Sequence, residues 1–268
     1  MAVNRPLRLA LISSGLGHEL RGIEMWMAEL ALHLSPALAV EVWAGGGFQL
    51  ADCDRRIRRV WNFGRHHPLI RAFAWLHRYQ IEQYSAIPAT LWRLRQWRPD
   101  VIYCGDPLLA WNLKRFRRWH GARVVFMNGM RLTPRWLRNY DGVHLLAPPY
   151  LGEARAILPV EQAVRFFAVP HFTDPGRFAP ATAEQRAQAR TRWQLPPAGL
   201  VVLTVGPVGS VSGKRLDFLA QELAVIPGAL LVSAGGDEDG AAAVRARAQA
   251  ALGEELQRVA NRPLLTRP

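Results

Sequence analysis

Cysteine is nearly absent, for the 268 residues hold only Cys53 and Cys104, far apart and without metal-ligand spacing. A disulfide framework and a zinc ribbon are excluded, and a reducing cytoplasm fits such a chain. Long apolar runs are missing as well. No stretch approaches the roughly 18 consecutive apolar residues of a spanning helix, and the run Leu7–Ile12 is too short for the core of a secretory signal. Lysine is scarce, with Lys114 and Lys214 standing among 34 basic residues that are otherwise arginine. The turn Ser14-Gly15-Leu16-Gly17, with Gly22 beyond it, lacks the Gly-x-Gly-x-x-Gly spacing of dinucleotide binders. No acidic residue closes the second expected strand where a nicotinamide cofactor would need one, which argues against a dehydrogenase. His18, His66, His67, His144 and His171 have neither paired spacing nor nearby carboxylates, so surface or loop places and no metal are expected for them.

What the chain does have is apolar content, half of its residues, enough to bury a core in two domains. Its formal charge of +13 is lopsided: residues 1–150 carry 21 Lys and Arg against 10 Asp and Glu, leaving only +2 for the rest. A field of that sign attracts phosphate, whether of an anionic membrane, a nucleic acid or a phosphorylated substrate, and does not choose among them.

Strand and helix patterns alternate along the chain. A short strand over Leu9–Ser13 leads through the Gly-rich turn into a helix from about Gly22 to Leu34, whose Met25, Met27, Leu30, Ala31 and Leu34 recur near 3.6 residues. That period turns Glu24 and Glu29 toward loop or solvent. Further strands are expected at Val40–Ala44, Val101–Cys104, Arg123–Met127, Val143–Ala147 and Arg165–Val169, which make a parallel, doubly wound sheet. Arg55–Arg98, rich in arginine and aromatic residues, is expected to form loops and amphipathic helices. Prolines scattered from Pro170 to Pro197 mark a crossing between domains, placing an N-terminal domain at 1–178 and a C-terminal one at 179–268. The second holds two β-α units, at Leu200–Leu223 and Ala229–Leu252, too few for a protected sheet, so it is expected to be incomplete.

Four segments, in order, resemble the retaining glycosyltransferases of the GT-B fold, family four. Gly22-Ile23-Glu24 is similar to the end of that family's Gly-Gly-x-Glu motif, with Arg21 at the first glycine. Arg98-Pro99-Asp100-Val101 continuing to Asp106-Pro107 is similar to its Pro-Asp-Val strand. Val169-Pro170-His171-Phe172-Thr173-Asp174-Pro175-Gly176-Arg177-Phe178 resembles its Val-Pro-Asn-Gly-Val-Asp-x-x-Arg-Phe segment, with His171 and Phe172 replacing Asn and Gly. Val205-Gly206 followed by Lys214-Arg215-Leu216-Asp217 resembles the donor-side strand, loop and helix with the diphosphate-binding lysine. The resemblance implies two Rossmann-like doubly wound parallel-sheet domains and transfer of a sugar from a nucleoside-diphosphate sugar to a hydroxyl acceptor, with no further cofactor. It places Gly206, Lys214 and Arg215, with Gly15, Gly17 and Gly22, on the donor, and Glu24 and Asn128 on the acceptor side. The chain departs from the family in carrying Pro207 where an arginine is usual, with Arg215 as the replacement, and Asn128 where a histidine is common. The family's pair of glutamates separated by seven residues is expected beyond Pro268, which leaves a catalytic set incomplete.

Two readings stay open at several of these positions. The glycines suit a ligand-free β-α turn as well as a phosphate cradle, and Glu24 can favour a helix N-terminus as well as touch substrate. The Arg/Trp segment 55–98, with Lys114-Arg115-Phe116-Arg117-Arg118, suits an anionic membrane at its cytoplasmic face or a solvated basic face over an aromatic stripe. No pattern of a nucleic-acid recognition module is present. Asp237, Glu238 and Asp239 are read as a solvated loop. The alternative to the enzyme is a non-catalytic nucleotide-sugar or membrane-binding module.

Overall fold

Arg8–Ser13 is an aliphatic run ended by Ser14-Gly15, and it forms strand β1, buried on both faces as an inner parallel strand must be. The computed structural model describes residues 5–19, 22–47, 55–129, 134–171, 175, 179–206, 208–209, 215–235 and 240–259. The chain divides into two units, Met1–Phe172 and Thr173–Pro268.

In the first unit β1 leads to α1 (Gly22–His33), β2 (Ala39–Ala44), β3 (Arg56–Arg59) and the long α2 (Trp75–Trp97). Then follow β4 (Val101–Cys104), α3 (Pro107–Arg115), α4 (Arg117–His120), β5 (Arg123–Asn128) and α5 (Pro134–Leu137). The unit closes with β6 (Gly142–Leu145), α6 (Pro148–Ile157), α7 (Val160–Ala163) and β7 (Phe166–Ala168). Its described strands make a seven-stranded parallel sheet in the order β3-β2-β1-β4-β5-β6-β7. Strand order reverses between β1 and β4, and such a switch point leaves a crevice at the carboxyl ends of those two strands.

Apolar side chains cover both faces of the sheet. Ile12, Leu94, Ile102, Leu109, Leu113 and Phe126 belong to the core under α2 and α3, while Leu11, Met27, Ala31, Val42 and Met127 pack under α1. Each fully buried Leu, Ile or Phe contributes about 1.5–3 kcal/mol. The helical period misplaced two residues of α1: Glu24, expected toward loop or solvent, is buried at 2% exposure beside Trp26, and Met25 is only half-buried. Glu24 lies inward because a buried guanidinium waits for it, a partner that periodicity cannot show.

Strand β3 was not expected, because its sequence RIRR carries three arginines. It forms an edge. Arg56 and Arg58 reach Glu41 of β2 at 3.7 and 3.6 Å, so their charge is partnered and the edge is guarded against further pairing. Helix α2 runs unbroken for 23 residues with Pro88 inside it.

The second unit contains α8 (Ala183–Arg192), β8 (Val201–Val205), α9 (Leu216–Leu223), β9 (Leu230–Ala234), α10 (Ala241–Leu252) and β10 (Leu256–Val259). Thr182 and Gln185 cap α8 reciprocally, at 3.2 and 2.9 Å, and none of its residues is buried. The sheet order is β10-β9-β8, all parallel, with Leu216, Ala220, Leu231, Val244 and Ala248 in its core. β10 is a strand beyond the two that the sequence had suggested.

Candidate functional site

The switch point of the first unit joins the two loops that leave β1 and β4. Asp106, wholly buried after β4, accepts the Ser14 N–H through Oδ2 at 2.5 Å. Asn62 donates to the Ser14 carbonyl at 2.8 Å, and the Ser14 hydroxyl lies 3.3 Å from Glu82 of α2. The loop after β1 is thereby held at three points, from β4, α2 and the stretch after β3.

Beneath the loop lies a buried ionic cluster centred on Arg65. Its Nη2 is 2.9 Å from Glu82 and 3.3 Å from Glu24, its Nε donates to both Glu82 oxygens at 3.1 Å, and its backbone N–H donates to Glu82 as well. The Tyr79 ring lies 4.4 Å from the guanidinium. Gly15 closes the cluster from above. A Cβ there would fall 2.2 Å from Glu24 Oε1 and 2.8 Å from Arg65 Nη2, so glycine is required by close approach.

Burial pushes the Glu24 carboxyl up, with Arg65 offsetting part of the rise. Burial pushes Asp106 up to about 7, helped by the charge of Glu24, and its Oδ1 has no hydrogen-bond partner among the described residues. Arg65 is held charged because the attraction of Glu82 outweighs the cost of its burial. The cluster stiffens the crevice floor and turns its carboxylates inward.

A second network lies along the same edge. Trp26 Nε1–H donates to the Tyr103 hydroxyl at 2.7 Å, which pairs with His144 Nδ1 at 2.5 Å, and His144 Nε2 contacts the Val169 carbonyl at 2.7 Å. The carbonyl can only accept, so Nε2 carries the proton and Nδ1 accepts from Tyr103. Burial lowers the His144 pKa, in keeping with a neutral ring. His144 was expected at the surface or in a loop, and it is instead buried within β6, because Tyr103 and Val169 satisfy both of its nitrogens. His171 stacks on Trp26, with ring centroids 4.5 Å apart.

Of the other residues singled out on this unit, Gly17 is an exposed turn glycine, Gly22 opens α1 with open space at its Cβ position, and Asn128 is buried at the carboxyl end of β5. Gly15, Glu24 and Asn128 therefore share the carboxyl edge of one sheet. Arg65 and Glu82 were not singled out from sequence, and Asp106 entered only with Pro107 at the end of the segment that resembles the Pro-Asp-Val strand. Glu82 lies 17 residues from Arg65 and Glu24 lies 41 away, and only folding brings them together.

In the second unit β8 and β9 end at Gly206 and Gly235. The Gly206 N–H donates to the Ala234 carbonyl at 2.9 Å. A Cβ on Gly235, at φ +153°, would fall 1.9 Å from the Gly206 carbonyl oxygen, so the two backbones touch where the strands finish. Arg215 precedes α9 in the left-handed region at φ +43°. Its guanidinium lies 3.6 Å over the Phe218 ring and 3.4 Å from Asp217, which Arg247 also reaches at 3.1 Å. Burial raises the Asp217 pKa, but its hydrogen bonds from Arg247 and Arg215 outweigh that and leave it lowered. Lys214, Pro207 and the acidic run Asp237–Asp239 lie outside the described residues. Among the described residues no group of three or more His, Cys, Asp or Glu could hold a metal, and no helix is long and apolar enough to cross a membrane.

Neither a protein-family model nor a curated protein matches the chain. Solved structures do. Sucrose-phosphate synthase from Thermosynechococcus elongatus aligns over 96% of this chain and 71% of its own, with a TM-score of 0.66 and 17% identity. HepE of Anabaena in complex with UDP and glucose aligns over 96% of this chain and 69% of its own, with a TM-score of 0.65 and 14% identity. UDP-GlcNAc 2-epimerase from Neisseria meningitidis bound to UDP-GlcNAc follows at a TM-score of 0.51 and 9% identity, over 96% of this chain and 72% of its own. The fold is GT-B, α/β with parallel sheets, as the resemblance implied.

Proposed function

We propose that this chain binds a nucleoside-diphosphate sugar and transfers the sugar to a hydroxyl acceptor with retention of anomeric configuration and without a metal. The observation that carries the reading is the likeness over 96% of the chain to a structure that holds UDP and glucose. The chemistry of the second unit supports it. A diphosphate needs backbone N–H groups and concentrated positive charge, and the start of α9 follows Lys214-Arg215 while Gly206 keeps the end of β8 free of side chain. In transfer the bond between the sugar C1 and the phosphate oxygen breaks as the bond from the acceptor oxygen forms, and the acceptor's hydroxyl proton passes to the departing diphosphate oxygen. The negative charge gathering on the departing diphosphate is what Lys214 and the helix N-terminus would stabilise. Glu24, Glu82 and Asp106 are buried around Arg65 and Ser14, which favours assistance from these donors over an exposed carboxylate acting as base. On the first unit, the carboxyl edge offers Asn128 to the acceptor and the loop of Gly15 and Gly17 to the donor.

The test is to incubate the chain with UDP- and GDP-sugars and a panel of hydroxyl acceptors, following nucleotide release and the product anomer by NMR. Release that depends on acceptor, gives a retained anomer and is lost in Lys214→Ala supports the proposal. Binding without turnover points instead to a nucleotide-sugar binding module, and an inverted product overturns the stereochemical part.

A further inference from the structure

The first unit carries a cationic surface at the end of the sheet opposite the Gly15 loop. Helix α3 starts beside Asp106 at the carboxyl edge and runs nine residues, about 14 Å, toward the amino edge, where α4 turns the chain into β5. There Lys114, Arg115, Arg117, Arg118 and Gly121 line a cleft of about 480 Å³. Asp141 holds two of these cations, Lys114 at 3.0 Å and Arg117 at 2.7 Å, while it caps the Val124 N–H at 2.9 Å. Four cations against one carboxylate leave the cleft three charges positive. Arg115 and Arg118 form no ion pair with any described residue.

Apolar rings flank the cleft without being buried. Trp119 is 43% exposed with the Arg95 guanidinium 5.9 Å from its ring centroid, and Phe116 between α3 and α4 is equally open. Trp92, three residues before Arg95 and so on the same face of α2, is 66% exposed. We propose that this surface, made by α3, α4 and the last turns of α2, docks on an anionic lipid membrane. Headgroup phosphates would occupy the cleft, and Phe116, Trp119 and Trp92 would sit at the level of the headgroups, where an indole with one apolar side and one polar handle is most stable.

The rings favour lipid over nucleic acid. Base stacking needs a succession of open ring faces, whereas Trp119 lies under Arg95, and Trp111 is stacked on Trp136 at 6.4 Å. Of the Arg/Trp-rich segment 55–98, only the last turns of α2 take part, since Trp61, Phe63 and Trp75 belong to its other end. The inference does not rest on the nucleotide-sugar reading, and a docked surface at the amino edge leaves the Gly15 loop uncovered.

The experiment is co-sedimentation of the full chain with phosphatidylcholine vesicles and with vesicles of equal parts phosphatidylcholine and phosphatidylglycerol. The wild type is expected on the anionic vesicles alone. Arg115→Gln/Arg118→Gln is expected to weaken that binding on the order of 30-fold, about fivefold for each charge near the surface. Arg186→Gln/Arg192→Gln, which removes the same charge from exposed positions of α8, is expected to change it by less than about twofold. Circular dichroism confirms that each variant is folded. Equal binding to neutral vesicles, or equal weakening by both double variants, overturns the proposal. So does displacement of the vesicles by inorganic phosphate or by a single-stranded oligonucleotide at matched phosphate concentration, which would assign the cleft to a free anion or to nucleic acid.

Discussion

The two units finish their sheets differently. In the first, the loop after β1 rests on a buried ionic cluster in which Arg65 neutralises parts of Glu24 and Glu82, with Asp106 beside them. In the second, the strand ends meet through bare backbone at Gly206 and Gly235, and two half-exposed guanidiniums, of Arg215 and Arg247, flank the buried carboxylate of Asp217. The same β-α architecture thus fixes one loop by desolvated charge and shapes the other by omitting side chains. Charge buried without water is costly to leave unpaired, so the first edge is rigid and intolerant, whereas the second tolerates loss of a charge but not the addition of a Cβ.

The largest expected effect separates these modes directly. Arg65→Met strands two buried carboxylates and should cost about 3–5 kcal/mol, while Arg247→Met should cost less than about 1 kcal/mol. Urea unfolding followed by tryptophan fluorescence reads this well for the first unit, which holds nine of the ten tryptophans. Comparable losses at both positions would erase the distinction.

Next comes pH. The Asp106 carboxyl sits at about 7 in the fold, above its ordinary 3.8, so between those values the folded chain keeps a proton that the unfolded chain has released. Its contribution is fully present below about pH 4 and is lost as the pH rises through 7. Asp106→Asn keeps an acceptor for the Ser14 N–H and cannot ionise, so it is expected to gain roughly 2–4 kcal/mol relative to wild type on going from acid to neutral pH. Parallel stability curves for the two proteins would refute the assignment.

Smaller effects sharpen the contrast. Gly15→Ala forces a methyl group onto Glu24 and Arg65 and should cost about 1–3 kcal/mol, whereas Gly22→Ala, with open space around it, should stay within about 0.5 kcal/mol. Gly235→Ala should lower protection of the β8 and β9 amides in hydrogen exchange while leaving those of β1 and β4 unchanged. Tyr103→Phe, which removes the hydroxyl between Trp26 and His144, is expected to cost about 1 kcal/mol in the same urea assay.

The sequence made the alternation of strand and helix legible wherever a strand is an inner one. Leu9–Ser13, Val101–Cys104 and Arg123–Met127 are aliphatic because both their faces are covered. β3 escaped notice because an edge strand can carry arginines, and β10 because Leu256–Val259 is a short run with a glutamine and an arginine in it. Within Arg55–Arg98, expected to form loops and amphipathic helices, α2 runs as one helix through Pro88. Of the site, the glycines and Glu24 were readable through motifs, and Asn128 through the position where the family commonly has a histidine. Arg65, in a loop, and Glu82, in a helix, were not, and helical period alone assigned Glu24 to solvent. Pairing over such separations leaves no local pattern, and buried charge mimics a polar surface until the partner is known.

The central claim, that the chain takes a nucleoside-diphosphate sugar, is tested most directly by calorimetric titration of the chain and of Lys214→Ala with uridine diphosphate and guanosine diphosphate. One saturable site per chain for one of the two nucleotides, weakened about tenfold or more by Lys214→Ala, is the expected result. Absence of heat for both nucleotides at millimolar concentration, or binding indifferent to Lys214, would contradict it.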